Sequence, residues 1–260
     1  MGVTTIGWTA TVTADGRVLP GYTHNEWWGC SAPAGDGCLN CYAAFLDKRT
    51  GGAYFGIGTA PRLTSERNRN QPYRWNRLAE AAGERRKVFC GSMMDIGDKN
   101  APGGAREALW PKIVATGNLD WLLLTKRPSY LGRLLPEDWG CGYPNAALGT
   151  TVENRKSGLR RLEQIREVPA RLRFLSVEPL LEDLGDINLT GIGWVIIGGE
   201  SGHRCRPMQT EWVDRIIAQC REQGVPVFFK QVGGKATDAG GCLHKGEEIK
   251  EWPLWSQDVR

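Results

Sequence analysis

Trp121-Leu122-Leu123-Leu124-Thr125-Lys126-Arg127 runs apolar for four residues and then turns abruptly polar and basic. An apolar run without alternation reads as a strand buried on both faces, because a half-exposed strand would carry a polar residue at every second position. The same design recurs along the chain, and strands are expected at 87–91, 121–125, 146–151, 172–177, 194–198 and 226–230. Helical patterns lie between them at 103–116, 128–135, 154–166 and 210–223; in the last, Trp212, Ile216, Ile217 and Cys220 share one face. Alternating strands and helices of this kind predict an α/β fold, a partial or full parallel β/α (TIM-like) barrel, with a first strand near 5–9. Residues 1–231 would form the barrel, with helices in 42–85, and 232–260 an irregular extension packed on it.

Each strand is followed by a compact polar group. These are Ser92 and Asp95; Lys126 and Arg127; Thr151, Glu153 and Asn154; Ser176 and Glu178; Gly199, Glu200 and Ser201; and Lys230 and Gln231. In parallel β/α folds the ligand sits at the carboxyl ends of the strands, where such groups converge. Helix capping accounts for Asn154 and Ser201 but not for an acid or a base after all six strands.

The loop 29–42, expected to follow the first strand, carries Cys30, Cys38 and Cys41, separated by seven and then two mostly small or polar residues. Three thiolates are one short of a closed zinc site and one short of the usual iron–sulfur set, and an open position marks a reactive centre. A structural zinc completed by His24, His203 or His244 would use the same thiols. A disulfide framework fits poorly with a long chain and eight unevenly spread cysteines. Cys90 and Cys220 read as core thiols, and Cys205 lies beside a strand end.

The formal charge is +4, and no apolar run approaches the roughly 20 residues of a membrane helix. With no basic and apolar leader at the start, a reducing cytoplasm is the expected compartment. Arg67, Arg69, Arg74 and Arg77 interleave with Asn68, Gln71, Tyr73 and Trp75, a mixture suited to phosphate contacts and base stacking and equally to a solvated helix face. Lys126, Arg127, Arg206 and Lys230 would add positive charge at the barrel mouth, which favours an anionic substrate.

The motifs 6–9, 29–30, 38–42, 92–95, 124–128, 148–153, 174–180, 198–202, 206–208 and 228–231, taken together, resemble the radical S-adenosylmethionine enzymes. More narrowly, they resemble a phage- and bacteria-associated three-cysteine family distantly related to spore photoproduct lyase. The cysteine spacing is that of the narrower family; Asn40 stands where the broader one has an aromatic residue, and Gly199-Glu200 comes too late to be its Gly-Gly-Glu motif. The resemblance implies a [4Fe–4S] cluster on Cys30, Cys38 and Cys41, whose free iron chelates S-adenosylmethionine. Reductive cleavage then yields a 5′-deoxyadenosyl radical that abstracts hydrogen from the substrate. Tyr42, Ser92, Asp95, Thr151, Glu153, Ser176 and Glu178 would contact the cofactor. Lys126, Arg127, Glu200, Cys205, Lys230 and Gln231 would face the substrate, with Cys205 as a hydrogen donor. The family's setting implies isomerase- or lyase-type hypermodification of a thymine base in DNA, such as rearrangement of an amino-acid adduct. A flavodoxin- or ferredoxin-like electron donor is implied as well. Two competing readings are a radical enzyme for a peptide or anionic metabolite, and a zinc-stabilised nucleic-acid-binding protein.

Overall fold

The computed structural model describes residues 2–31, 35–236 and 240–255. One eight-stranded sheet dominates: β1 (Gly2–Val3), β2 (Tyr22–His24), β3 (Arg86–Cys90), β4 (Leu119–Thr125), β5 (Ala146–Thr151), β6 (Leu172–Val177), β7 (Trp194–Gly198) and β8 (Val227–Gln231), in chain order. Only β1 is antiparallel to its neighbour; β2 to β8 are mutually parallel. Every crossover therefore steps one strand onward, and their common right-handed sense puts the helices on one face. These helices include α1 (Tyr42–Arg49), α2 (Gln71–Ala81), α3 (Ala105–Val114), α4 (Arg160–Arg166) and α5 (Thr210–Glu222).

Successive residues of each strand serve two cores. Val88, Trp121, Leu123, Leu148, Leu175, Val195, Ile197 and Phe229 face outward, into a cluster with Leu109, Ile113, Leu162, Ile165, Val213 and Ile216 of the helices. Phe89, Leu122, Ala147, Phe174, Trp194, Ile196 and Phe228 face inward and pack with Trp8 and Trp255. The alternation is real but hidden in the sequence, because both faces are apolar.

Trp8 shows how far the sheet curls. Its ring lies 4.8 Å from that of Phe89 and 6.3 Å from that of Trp194. Their strands, β3 and β7, are four positions apart and would be separated by about 19 Å on a flat sheet. One indole can touch both only across a concave face, so the sheet is a half-barrel. Trp8 sits in a turn, Gly7–Thr9, in which the Thr9 hydroxyl donates to the Ile6 carbonyl at 2.7 Å. The strand expected at 5–9 is therefore this plug, and the first parallel strand is β2. That strand escapes a sequence reading because it has three residues and two of them, Thr23 and His24, are polar.

Within β5 the inward position between Ala147 and Thr151 is Gly149, where a Cβ would lie 2.3 Å from the Phe174 ring. Between β6 and β7 there is no helix. Leu180, Leu184, Ile187, Leu189 and Ile192 are buried in a loop whose backbone is served by α5. Gln219 accepts from the Ile187 N–H at 2.6 Å and donates to the Gly185 carbonyl at 3.0 Å. Gln223 does the same for Leu189 at 2.7 Å and the Ile187 carbonyl at 2.9 Å. After β8, the segment 249–251 lies antiparallel along that edge strand: Phe229 N–H donates to the Ile249 carbonyl at 2.8 Å and Glu251 N–H to the Val227 carbonyl at 3.1 Å. Among the described residues no helix is long and apolar enough to cross a membrane.

Candidate functional site

The carboxyl ends of the parallel strands form one rim. Thr151 and Ser176 are register partners on β5 and β6, each one inward position above the aromatic floor. Both are buried, and the Thr151 hydroxyl has no hydrogen-bond partner among the described residues. Ser176 Oγ lies 3.4 Å from Glu178 Oε2, and Lys230 Nζ from β8 lies 3.0 Å from Glu178 Oε1. The structure thus gathers four of the expected site residues, Thr151, Ser176, Glu178 and Lys230, into a polar layer over the apolar floor.

The cysteine loop is tied across this rim by carboxylates from three strand ends. After β3, Asp98 accepts from the Ser31 N–H and hydroxyl, both at 2.6 Å. After β5, Glu153 accepts from the Gly37 N–H at 3.4 Å, and the Asn154 amide donates to Asp36 at 2.8 Å. After β7, Glu200 accepts from the Asn40 amide at 3.0 Å and from Arg206 Nε at 2.9 Å, while Arg206 Nη2 reaches the Asp36 carbonyl at 3.1 Å. Burial alone would push these carboxyls up. The Ser31 donors on Asp98, the Arg161 guanidinium on Glu153 and Arg206 with Asn40 on Glu200 outweigh it, and all three are held below the usual carboxylate range. Gly35 shows how closely the loop approaches. Its φ is +137°, and a Cβ would fall 2.6 Å from Glu153 and 2.5 Å from Arg161.

All three loop thiols are half-buried. Cys30 is fixed by its N–H to the Tyr54 carbonyl at 3.0 Å, Cys38 ends the turn Asp36–Cys38, and Cys41 caps α1. Arg127 Nη2 donates to Cys30 Sγ at 3.2 Å. The same guanidinium pairs with Asp95 at 2.9 Å, and Asp95 also accepts from the Lys126 N–H at 3.1 Å and the Gly97 N–H at 2.8 Å. Burial would lower Arg127, but Asp95, Cys30 and Asp98 raise it further, so it stays charged.

Among the described residues no three His, Cys, Asp or Glu side chains converge on a single metal-ion position. One zinc needs its donors around one point, whereas a cubane cluster takes each thiolate on a different iron. Two of the three histidines weighed as a fourth zinc ligand are engaged elsewhere: His24 lies 2.9 Å from buried Glu26, and His244 lies 2.7 Å from Asp214.

The remaining expected residues are spread around the mouth. Tyr42 is exposed, and its hydroxyl donates to the Ser92 carbonyl at 2.5 Å. Ser92 accepts from the Asn25 amide at 2.8 Å, which fixes the turn after β3. Gln231 donates to the Gly199 carbonyl at 3.1 Å, and Cys205 is half-buried in the turn after β7. Arg67, Arg74 and Arg77 are exposed on Glu66–Arg69 and α2. Arg69 turns inward instead, 3.6 Å from Glu26, which also pairs with Lys112 at 2.5 Å and with His24. Sequence reasoning misses Asp98 and Asp36, although Asp98 repeats Asp95 at three residues; Arg161, one of a basic run at 155–166 suited to phosphate contacts, is instead buried against Glu153.

No curated protein matches the chain. Among solved structures, a cysteine-to-serine mutant of spore photoproduct lyase is 13% identical with a TM-score of 0.46, over 76% of this chain and 59% of that one. Spore photoproduct lyase complexed with dinucleoside spore photoproduct is 12% identical with a TM-score of 0.44, over 75% and 59%. The chain spans little more than half the length of these structures. A family model described as a protein of unknown function matches residues 4–253, nearly the whole length, and the chain therefore belongs to that family, DUF5131.

Proposed function

We propose that this protein is a radical S-adenosylmethionine enzyme in which Cys30, Cys38 and Cys41 hold a [4Fe–4S] cluster over the barrel mouth. The observation that carries the reading is the loop itself. Three half-buried thiols are laced by Asp98, Glu153 and Glu200 across the carboxyl end of a parallel half-barrel, above a polar layer. The donor set fits in kind: three half-buried thiols on one loop, with the Thr151 hydroxyl, unpartnered among the described residues, in the layer below. When bound and reduced, such a cluster would supply the electron that cleaves S-adenosylmethionine and starts hydrogen abstraction.

The chain's own residues would bind, orient and shield. Thr151 and Ser176 offer hydroxyls to the cofactor's polar groups, and Glu178 offers a carboxylate to its ammonium, exchanging with Lys230. The floor of Trp8, Phe89, Trp194 and Phe228 excludes water from below. Glu153 and Glu200, engaged by the loop, position the cysteines rather than touch cofactor or substrate. Cys205 would give its thiol hydrogen atom to the product radical, and the thiyl radical left behind would regain hydrogen from the methyl group of 5′-deoxyadenosine. For the substrate we favour a modified thymine base in DNA, with Lys126 at the mouth and Arg67, Arg74 and Arg77 on phosphates, and a small flavodoxin- or ferredoxin-like protein as electron donor.

Anaerobic purification with iron, sulfide and zinc analysis tests the cluster. Iron and sulfide should be present and lost in Cys30→Ala, Cys38→Ala or Cys41→Ala, and reduced protein should release 5′-deoxyadenosine. One zinc per chain and no cofactor cleavage would reject the reading. DNA affinity should fall with salt by about one log–log unit per phosphate contact and weaken in Arg74→Glu. Salt-independent behaviour would move the substrate to a peptide or a small anionic metabolite.

A further inference from the structure

The guanidinium of Arg127 reaches three acidic groups at once. It lies 3.2 Å from Cys30 Sγ, 2.9 Å from Asp95 and 3.9 Å from Asp98, on a side chain that is 9% exposed. Asp98 closes the ring by holding both the N–H and the hydroxyl of Ser31, the residue after Cys30. Asp95 is itself fixed by the Lys126 and Gly97 N–H groups and the Thr125 hydroxyl. A guanidinium paired with Asp95 and close to the charge of Asp98 is drawn away from an incoming anion, and its planar fork fixes the direction of the Nη2 N–H. That direction is the sulfur of Cys30.

Hydrogen bonds and positive charge at a ligand sulfur favour the more negative, reduced form of an iron–sulfur centre. We infer that Arg127 is a positioning residue: with Asp95 and Asp98 it aims the Cys30 sulfur and raises the reduction potential of the centre that sulfur carries, and it does not bind the substrate anion. The inference rests on the cluster reading above.

The test uses the reconstituted full chain with Arg127→Gln, Arg127→Lys and, as an exposed control, Arg133→Gln. Iron per chain, the midpoint potential from an EPR-monitored titration, and S-adenosylmethionine affinity by calorimetry are measured for each. Arg127→Gln should disfavour the reduced form by about tenfold, which is about 59 mV for one electron. Arg127→Lys keeps the charge without the fork and should recover part of that shift, while Arg133→Gln leaves the potential unchanged. Cofactor affinity should stay within about twofold throughout. If Arg127→Gln fails to fold or to take up iron, Arg127→Lys carries the test alone, with a smaller shift of the same sign. An unshifted potential in the variants that assemble a cluster overturns the inference, and so does a loss of cofactor affinity without such a shift. If the unaltered protein assembles no cluster, both readings fall; a cluster with normal cofactor cleavage and an unmoved potential removes only this one.

Discussion

Trp8, Phe89, Phe174, Trp194 and Phe228 close the bottom of the half-barrel ring against ring, whereas the loop over its mouth meets the barrel through carboxylates, amides and guanidinium groups. The floor draws on burial, about 1.5–3 kcal/mol for each large side chain and without directional demands. The loop draws on charged hydrogen bonds, about 1.5–3 kcal/mol each and dependent on geometry. A region of the second kind can open while the first stays folded. A reactive centre needs that division, since its ligands must close around an inserted group on a scaffold that is already rigid.

The largest effect should come from the floor. Trp8→Ala removes the ring that spans β3 and β7 and should cost about 3–5 kcal/mol, read from the urea midpoint. A comparable loss of global stability in Glu200→Gln would break the contrast. Next, Gly149→Ala puts a methyl 2.3 Å from the Phe174 ring and should cost about 1–3 kcal/mol. Pairing it with Phe174→Leu should recover part of that cost, and strict additivity in the double mutant would show that the close approach is not the cause.

Glu200→Gln should act locally. Hydrogen exchange across 35–41 should quicken by roughly tenfold, about 1.4 kcal/mol of local opening, with little change in the urea midpoint. Acid gives the mildest test. Asp98, Glu153 and Glu200 are held below their ordinary values, so their contribution is complete above about pH 4 and fades as pH falls through the lower folded values. Loop protection, corrected for intrinsic exchange, should therefore decline on acidification before the tryptophan fluorescence of the floor changes. Simultaneous loss would mean that loop and floor are one cooperative unit.

The strands were legible because both their faces are buried, which writes an apolar run into the sequence: 146–151, 172–177 and 194–198 are found with the expected bounds. β2 was not, being too short and too polar, and the apolar Ile6 and Trp8 drew the assignment to a turn. The rim residues were legible as a set, because a polar group after an apolar run is a local pattern. Their partners were not. Glu200 meets Asn40 at a sequence separation of 160 residues and Arg127 meets Cys30 at 97, and no periodicity connects residues so far apart in the chain. That is why Glu153 and Glu200, which sequence alone assigns to cofactor and substrate, turn out to carry the loop's hydrogen bonds, and why Arg69, one of four arginines that look alike, faces a buried glutamate.

The antiparallel cover of β8 by 249–251 also governs self-association. Beneath it lie Val227, Phe228 and Phe229, each at most 1% exposed, on the last strand of an open sheet. Without those few residues the strand would present free N–H and C=O groups beside an aromatic surface, a template for edge-to-edge pairing with another copy. The opposite edge, β1, is only two residues long and offers a far poorer template. A chain shortened before Ile249 would thus be expected to aggregate through one defined strand, a failure of solubility that sets in before any question of catalysis arises.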